Sequence, residues 1–157
     1  MSTPQAFMQE AIRLAMENVH LGSGGPFGAV VVKDGQIVAR GRNLVTSTND
    51  PTAHAEVVAI RRACQHLNTF QLTDCDLYSS CEPCPMCLGA LYWARPRRIY
   101  YGALHRDAAR AGFDDAFIYA ELAKSREARS IPMVQLLEAE AWAPFAAWQE
   151  KEDRELY

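Results

Sequence analysis

The first segment of the chain repeats apolar residues at helical spacing. Between Pro4 and Leu21, the apolar positions that share one face are Phe7, Ala11, Ile12, Ala15 and Val19. This period predicts an amphipathic helix over 4–21, because residues three and four apart lie on the same side of a helix. Thr3 is placed to cap the helix, and Pro4 suits its first turn.

The next segment changes from helical to extended patterning. Phe27–Lys33 is an almost continuous apolar run, which predicts a buried strand. Asp34 and Gly35 follow, and this pair favours a tight hairpin turn. Gln36–Arg40 is therefore expected to return antiparallel to the first strand.

The rest of the chain alternates helices with short strands. After a polar loop at 43–49, Asp50 and Pro51 are expected to cap and open a helix over about 52–66. The further predicted elements are strands at 76–79, 98–102 and 133–137, and helices from 85 to 94, within 108–129 and over 143–153. This order predicts a single domain over 1–157, built as a three-layer α/β/α sandwich around a mixed five-stranded sheet.

The composition carries no signature of nucleic-acid or membrane binding. The 157 residues are 49% hydrophobic with a formal net charge of -3, whereas nucleic-acid-binding domains are usually strongly basic. The N-terminus lacks the basic and apolar regions of a secretory signal, and the longest apolar run, Phe27–Val32, is far too short to span a bilayer. We therefore expect a cytoplasmic protein that binds neither nucleic acid nor membrane.

Three cysteines lie close together at the start of the predicted helix 85–94. Cys81 precedes the helix, and Cys84 and Cys87 lie at its first turn. In a reducing compartment such a cluster indicates metal binding or catalysis rather than disulfides. The C-P-M-C spacing places the thiols of Cys84 and Cys87 in the first helical turn, where the helix dipole favours thiolate. Taken alone, a C-x-x-C pair is also compatible with half of a structural zinc site or with a redox pair.

His54 is a third candidate ligand, and Glu56, two residues later, is a candidate proton carrier. Both belong to the first turn of the predicted helix 52–66. If the two helix starts meet, one imidazole and two thiolates bind zinc and leave its fourth position open to water, as in catalytic sites. Zinc lowers the pKa of bound water to about 7, and a nearby carboxylate can carry a proton to a leaving group. H-x-E together with P-C-x-x-C is the pattern of zinc-dependent deaminases.

Cys81 leaves an alternative open. As a fourth ligand it would close the metal site, but it precedes the helix by several residues, which favours a packing role or a free thiol. The sequence contains no second C-x-x-C pair to complete a structural four-ligand site. Cys64 and Cys75 belong to no ligand pattern and are expected to be structural.

Longer stretches around these residues carry a family resemblance. They are G-G-P-F-G-A-V-V-V-K-D-G, N-D-P-T-A-H-A-E, S-C-E-P-C-P-M-C-L-G-A-L-Y-W-A-R-P and A-G-F-D-D. With these stretches in this order, nearly the whole sequence resembles the cytidine deaminase superfamily and, within it, the small zinc-dependent guanine deaminases of bacteria. The first two stretches and P-C-x-x-C also resemble tRNA adenosine deaminases, whereas Y-W-A-R-P, G-F-D-D and the terminal tyrosine favour the guanine deaminases.

The resemblance implies a role for each matching residue. His54, Cys84 and Cys87 bind Zn²⁺, and Glu56 moves protons while water replaces the amine at C2 of guanine, giving xanthine and ammonia in purine catabolism. The residues implied to contact the purine base are Phe27, Asn43, His54, Ala55, Trp93, Asp115 and Tyr157. The resemblance further implies a homodimer whose C-terminal segment is swapped between subunits.

Within this interpretation the polar contacts are Asn43 and Asp115, since guanine offers N1–H and N2–H₂ as donors to a carboxylate. Phe27 and Trp93 are expected to form apolar walls, and Tyr157 to close the pocket. Three alternatives stay open. The chain could be a tRNA adenosine deaminase, a deaminase of another amino-heterocycle, or a non-catalytic zinc-stabilised module in which Cys81 completes the metal site.

Overall fold

Helices and short strands follow one another along residues 3–157, the part of the chain that the computed structural model describes. In chain order they are α1 (Pro4–Leu21), β1 (Gly28–Lys33), β2 (Gln36–Arg42), α2 (Val45–Thr48), α3 (Ala55–Leu67), β3 (Cys75–Cys81), α4 (Pro85–Ala94), β4 (Arg98–Ala103), α5 (His105–Arg110), α6 (Asp115–Ala123), a 3₁₀ turn (Arg126–Ala128) and α7 (Glu138–Glu150).

Helix α1 begins and ends at the predicted residues. At its start, Thr3 Oγ1 accepts a hydrogen bond from the Ala6 N–H at 3.2 Å. At its end, Gly22 adopts a left-handed φ of 66° and its N–H bonds to Asn18 O. A glycine reaches this conformation without a Cβ clash, so the local sequence is enough to define both boundaries.

The buried face of α1 includes a polar residue that the apolar pattern does not predict. Asn18 Nδ2 donates to Gly25 O at 2.7 Å and to Asn43 O at 2.8 Å, which ties the helix to two loops. Ile12 and Val19, predicted on the buried face, are instead about half exposed. The buried residues of this helix are Phe7, Ala11, Leu14, Ala15 and Asn18.

The sheet is mixed, as predicted, but has four strands in the order β2-β1-β3-β4. The pairs β1–β2 and β1–β3 are antiparallel, and β3–β4 is parallel. The predicted fifth strand at Met133–Leu137 is wrong: this segment has no strand structure and its side chains are exposed. Apolar residues in an extended stretch become a strand only when a neighbouring strand takes up their backbone hydrogen bonds, and strand propensity cannot supply that neighbour.

Side chains of β1 alternate between two helical layers. Ala29 and Val31 pack into a core with residues of α3 and α4. Val30 and Val32 point the opposite way and pack with residues of α1 and with Tyr78. Because successive strand residues face opposite sides of a sheet, this alternation gives the predicted three layers, with helices on both faces.

Helix α3 starts at Ala55 rather than at Thr52. The Asp50 carboxylate is not a helix cap; its Oδ1 accepts from the Thr52 N–H at 2.8 Å and from the Thr52 hydroxyl at 2.6 Å. These bonds close a turn ahead of the helix. His54 is consequently the N-cap residue of α3, with extended backbone angles.

The described residues divide into two compact units, one ending at Ala116 and one covering Phe117–Tyr157. In the second unit, Glu121 Oε2 accepts from the Ser130 N–H at 2.7 Å and from its hydroxyl at 2.9 Å. The prediction of one domain over 1–157 stays a prediction. Within residues 3–157, no helix combines the length and the apolar character needed to cross a membrane.

Helix α7 starts at Glu138, earlier than the predicted start at Ala143, so Pro144 lies inside the helix rather than near its first turn. Glu138 and Glu140 stand in the first turn of the helix. Carboxylates are favoured there by the positive end of the helix dipole, which accounts for the earlier start.

Candidate metal centre and active site

The starts of α3 and α4 bring three metal-binding side chains together. His54 is the N-cap residue of α3, Cys84 is the N-cap residue of α4, and Cys87 lies in the first turn of α4. Both cysteine Sγ atoms lie 3.5 Å from His54 Nδ1. The three ligand atoms are all within 4.8 Å of one another, as the sequence pattern predicts.

The spacing of these atoms fits a tetrahedral zinc ion. With Zn–S distances of about 2.3 Å and Zn–N distances of about 2.0–2.1 Å, tetrahedral geometry separates a nitrogen from a sulfur ligand by about 3.6 Å. The observed separation is 3.5 Å for both cysteines. One imidazole and two sulfurs are also ligands that suit zinc, whereas magnesium and calcium prefer oxygen ligands.

The two cysteines differ in their affinity for a proton. Hydrogen bonds from Cys87 and then from His54 lower the pKa of the Cys84 thiol to about 4, against the opposing effect of burial. The hydrogen bond to Cys84, followed by burial, raises the pKa of Cys87. These opposite shifts favour the thiolate form at Cys84, and zinc binding at this group would require both cysteines to be deprotonated.

Cys81 is not part of the ligand group in the described residues. Its Sγ instead approaches the Leu104 carbonyl oxygen at 3.8 Å. Burial raises the pKa of the Cys81 thiol to about 11, so it stays protonated at neutral pH. A three-residue ligand group leaves a fourth tetrahedral position for water, which is the arrangement of catalytic zinc sites.

Glu56 lies in the first turn of α3, beside the ligand group, and only 5% of its surface is exposed. Its Oε1 is 3.0 Å from the Ser79 hydroxyl. Burial raises the pKa of Glu56, which makes the carboxyl a better proton acceptor than an exposed glutamate. A carboxyl of this kind is suited to general acid and base catalysis.

A cavity of about 230 Å³ opens above the ligand group. It is lined by Gly25, Phe27, Asn43, Val45, Thr46, His54, Glu56, Cys81, Glu82, Cys84, Phe113 and Asp115. Four of the predicted base-contacting residues therefore line the same cavity as Cys84 and Glu56. They are Phe27, Asn43, His54 and Asp115.

Asn43 is held in one orientation by backbone groups. Its Oδ1 accepts from the Val45 N–H at 3.1 Å and from the Gly25 N–H at 3.3 Å. The carboxamide oxygen is thereby occupied, and the NH₂ group is the one oriented to donate. The neighbouring loop approaches closely, because a Cβ on Gly24 would lie 2.2 Å from Asn43 O, so only glycine fits there.

Phe27 and Phe113 form the apolar wall of the cavity. Their rings meet edge to face with centroids 5.0 Å apart. Phe27 was predicted to be a wall residue, whereas Phe113 was not. The sequence could have indicated Phe113, because this residue belongs to the same G-F-D-D stretch as Asp115.

Three other predicted contact residues are placed differently. Ala55 is fully buried as the first residue of α3. Trp93 is not among the residues lining the cavity, and its side chain on α4 is 62% exposed. Tyr157 belongs to the second unit and is also exposed. The substrate-binding roles of these three residues stay predictions.

Glu82 and His105 are neighbours of Asp115 that the sequence did not identify. His105 Nε2 lies 3.4 Å from Glu82 Oε2, and His105 Nδ1 lies 3.4 Å from Asp115 Oδ2. The His105 backbone N–H also donates to Glu82 Oε1 at 3.1 Å. An imidazole between two carboxylates limits the positions that the Asp115 carboxylate can adopt. Desolvation raises the pKa of Asp115.

Comparison with known proteins finds sequence and structural similarity over nearly the whole chain. Residues 1–103 match the family described as the cytidine and deoxycytidylate deaminase zinc-binding region. Guanine deaminase of Bacillus subtilis (strain 168) is 58% identical over 153 residues, which is 98% of each chain. The X-ray structure of guanine deaminase from Bacillus subtilis matches with a TM-score of 0.96 and 57% identity, covering 99% of both chains.

More distant relatives match smaller parts of the chain. A guanine deaminase structure from Nitrosomonas europaea has a TM-score of 0.70 and 34% identity, covering 73% of this chain and 66% of that one. The tRNA-specific adenosine deaminase of Agrobacterium fabrum (strain C58) is 51% identical over 78 residues, which is 50% of this chain and 51% of its own. Similarity over the full length is thus to a guanine deaminase, and similarity to this tRNA deaminase is partial.

Proposed function

The chain belongs to the cytidine and deoxycytidylate deaminase family, and on that premise we propose that it is a zinc-dependent guanine deaminase. The reaction is guanine plus water to xanthine plus ammonia. The observation that carries the proposal is the placement of Glu56 beside the ligand group His54, Cys84 and Cys87, with His54, Cys84 and Glu56 lining one cavity. The nearly full-length relatedness to a guanine deaminase supports the choice of substrate.

In this mechanism the chain holds Zn²⁺ through His54, Cys84 and Cys87. Bound zinc supplies Lewis-acid activation of water at neutral pH. The Glu56 carboxylate takes a proton from the attacking water and delivers a proton to the amine that leaves C2. Burial of Glu56 supports this role, because a raised pKa brings the carboxyl closer to neutral pH, where it can both take and return a proton.

The walls of the cavity account for recognition of a purine. Phe27 and Phe113 offer aromatic surface to the flat ring. The Asn43 NH₂ group donates to an acceptor of the base, since its oxygen is already bonded to the backbone. The Asp115 carboxylate accepts from N1–H, which adenine lacks. A base without the matching edge leaves these polar groups unpaired, and its binding is weakened.

A turnover panel on zinc-loaded protein tests the proposal. Guanine, guanosine, adenine, cytosine, cytidine, an aminotriazine and tRNA are each followed by ammonia release. We expect turnover of guanine and none of tRNA. Turnover of tRNA alone would keep the metal chemistry and replace the substrate, and turnover of the triazine alone would indicate another amino-heterocycle.

Asp115→Asn is expected to lower kcat/KM for guanine by about 10- to 100-fold, because asparagine offers N1–H only a neutral carbonyl oxygen in place of a charged acceptor. The measurement is steady-state kinetics with guanine and with 2-aminopurine, which has no N1–H. The loss for 2-aminopurine is expected to be smaller. Equal losses for both bases would contradict the role of Asp115 as the N1–H acceptor.

The proposed enzyme is a homodimer in which the segment Phe117–Tyr157 is exchanged between subunits, with Tyr157 closing the pocket. An apolar groove on the first unit supports this part of the proposal. It lies between α1 and the β4 edge of the sheet, and its lining residues include Ile12, Met16 and Phe113. The second unit exposes further apolar side chains, among them Ile131, Val134, Leu136 and Trp142. Monomeric proteins seldom expose large apolar patches, so exposed apolar side chains on both units favour an assembly that covers them.

Sedimentation equilibrium is expected to give a dimer at micromolar concentration. Deletion of Tyr157 alone is expected to preserve the dimer and reduce kcat/KM several-fold, because one exposed residue contributes little to assembly. A monomeric wild-type protein would contradict the exchanged assembly. A Tyr157 deletion with unchanged kinetics would remove only the role of this residue in closing the pocket.

Cytoplasmic location and a role in purine catabolism are parts of the same proposal. None of the five cysteines is in a disulfide, which supports a reducing compartment. Fractionation of the source cells, with the protein followed by antibody, tests the location.

A further inference from the structure

Ser79 places a hydroxyl directly beside the proposed proton carrier. Its side chain is fully buried near the end of β3, and its Oγ lies 3.0 Å from Glu56 Oε1. The same Oγ lies 2.6 Å from the Cys81 carbonyl oxygen. Cys87, another hydrogen-bonding neighbour of Glu56, belongs to the metal-ligand group. Ser79 is therefore a partner of Glu56 that metal binding does not occupy.

The hydrogen-bonding capacity of this hydroxyl is limited by its single proton. A hydroxyl donates once and accepts through its lone pairs, whereas the Cys81 carbonyl oxygen only accepts. When Ser79 donates to Glu56, the carboxylate is the acceptor. When Ser79 donates to the Cys81 oxygen, its lone pairs can accept from a carboxyl that carries a proton. The Ser79–Glu56 contact thus persists on both sides of a proton transfer.

We propose that Ser79 is a positioning residue that holds the Glu56 carboxyl in one rotamer toward the metal-ligand group throughout the reaction. This inference rests on the proposed function, because it assigns Ser79 to the proton transfers of Glu56. A buried carboxyl without this partner loses a hydrogen bond and gains rotational freedom. Both changes reduce the fraction of molecules with Glu56 aligned for transfer, since catalysis depends on geometry at the ångström level.

Ser80, the next residue of β3, provides a matched comparison. Its hydroxyl accepts a hydrogen bond from the Gly28 N–H at 3.0 Å and therefore ties β3 to the start of β1. Side chains of neighbouring strand residues point to opposite faces of the sheet. Loss of the Ser80 hydroxyl is expected to affect the sheet, whereas loss of the Ser79 hydroxyl is expected to affect Glu56.

The test compares Ser79→Ala, Ser79→Thr and Ser80→Ala with the wild-type protein, all loaded with zinc. We expect Ser79→Ala to lower kcat for guanine by about 10- to 100-fold with KM changed less than about twofold, as for loss of a hydrogen bond to a charged group. Ser79→Thr, which keeps the hydroxyl, should recover most of this loss. Ser80→Ala should lower the melting temperature and leave kcat near the wild-type value.

A crystal structure of Ser79→Ala gives a readout independent of activity. We expect bound zinc at one equivalent, with the Glu56 side chain rotated or disordered. An unchanged kcat, or a Glu56 rotamer identical to that in the wild-type protein, would overturn the inference. If the wild-type protein does not deaminate guanine, the proposed function fails, and the crystallographic comparison alone then decides the role of Ser79.

Discussion

Glu56→Gln is expected to lower kcat for guanine by about 10²- to 10⁴-fold, the usual contribution of general acid and base catalysis. Glutamine has nearly the size of glutamate and can still bond to the Ser79 hydroxyl, but its amide cannot take a proton from water. Glu56 is buried beside the ligand group, whereas the other carboxylates of the cavity, Glu82 and Asp115, pair with His105. KM should change much less than kcat, since the lost interaction acts on the reacting atoms.

The control for this substitution is Glu17→Gln, the same chemical change on the exposed side of α1, where Glu17 pairs with Arg13 and Arg42. It should leave kcat unchanged. Zinc content of Glu56→Gln, measured by atomic absorption, should remain at one equivalent. Wild-type turnover in a zinc-loaded Glu56→Gln protein would exclude Glu56 as the proton carrier.

Removal of the metal is expected to abolish activity completely and reversibly. A chelator such as 1,10-phenanthroline should reduce ammonia release to the background rate, and one equivalent of Zn²⁺ should restore it. Cys84→Ala should bind far less zinc, because Cys84 contributes one of the three ligand atoms of the group. The metal-free protein should also melt at a lower temperature, since an ion that binds only the folded chain stabilises it.

Cys81→Ser separates this interpretation from a closed four-ligand site. The Cys81 thiol points to the Leu104 carbonyl, so its replacement should leave zinc content at one equivalent. Cys64→Ser, outside the cavity, is the control for loss of a cysteine. Loss of zinc from Cys81→Ser would instead support the non-catalytic module, in which Cys81 is the fourth ligand.

Features with local causes could be predicted from the sequence. The limits of α1 follow from Thr3 and Gly22, which cap the helix through neighbouring backbone groups. The β1–β2 hairpin follows from Asp34 and Gly35, whose φ angles of 49° and 75° suit this turn. The ligand group was predictable because its members occupy helix starts, where fixed spacing determines side-chain direction.

Features that depend on distant parts of the chain could not be predicted. Ser79 is separated from Glu56 by more than twenty residues, and only the packing of β3 beside α3 brings them together. His105 and Glu82 are likewise more than twenty residues apart, and they meet where the start of α5 packs beside the end of β3. The strand predicted at Met133–Leu137 is also wrong for a long-range reason. The apolar pattern of this segment fits a strand, but no strand pairs with it in the described residues.

The two helix starts that hold the ligand group are separate, along the chain, from the polar cavity residues proposed to recognise the base. His54, Cys84 and Glu56 are fixed by α3 and α4, whereas Asn43 and Asp115 come from the end of β2 and the start of α6. Under the proposed function, reaction and recognition are thus encoded in different stretches of sequence. Randomising the loops around 43–46 and 112–115 could therefore change which amino-heterocycle is accepted while the ligand group and Glu56 are kept.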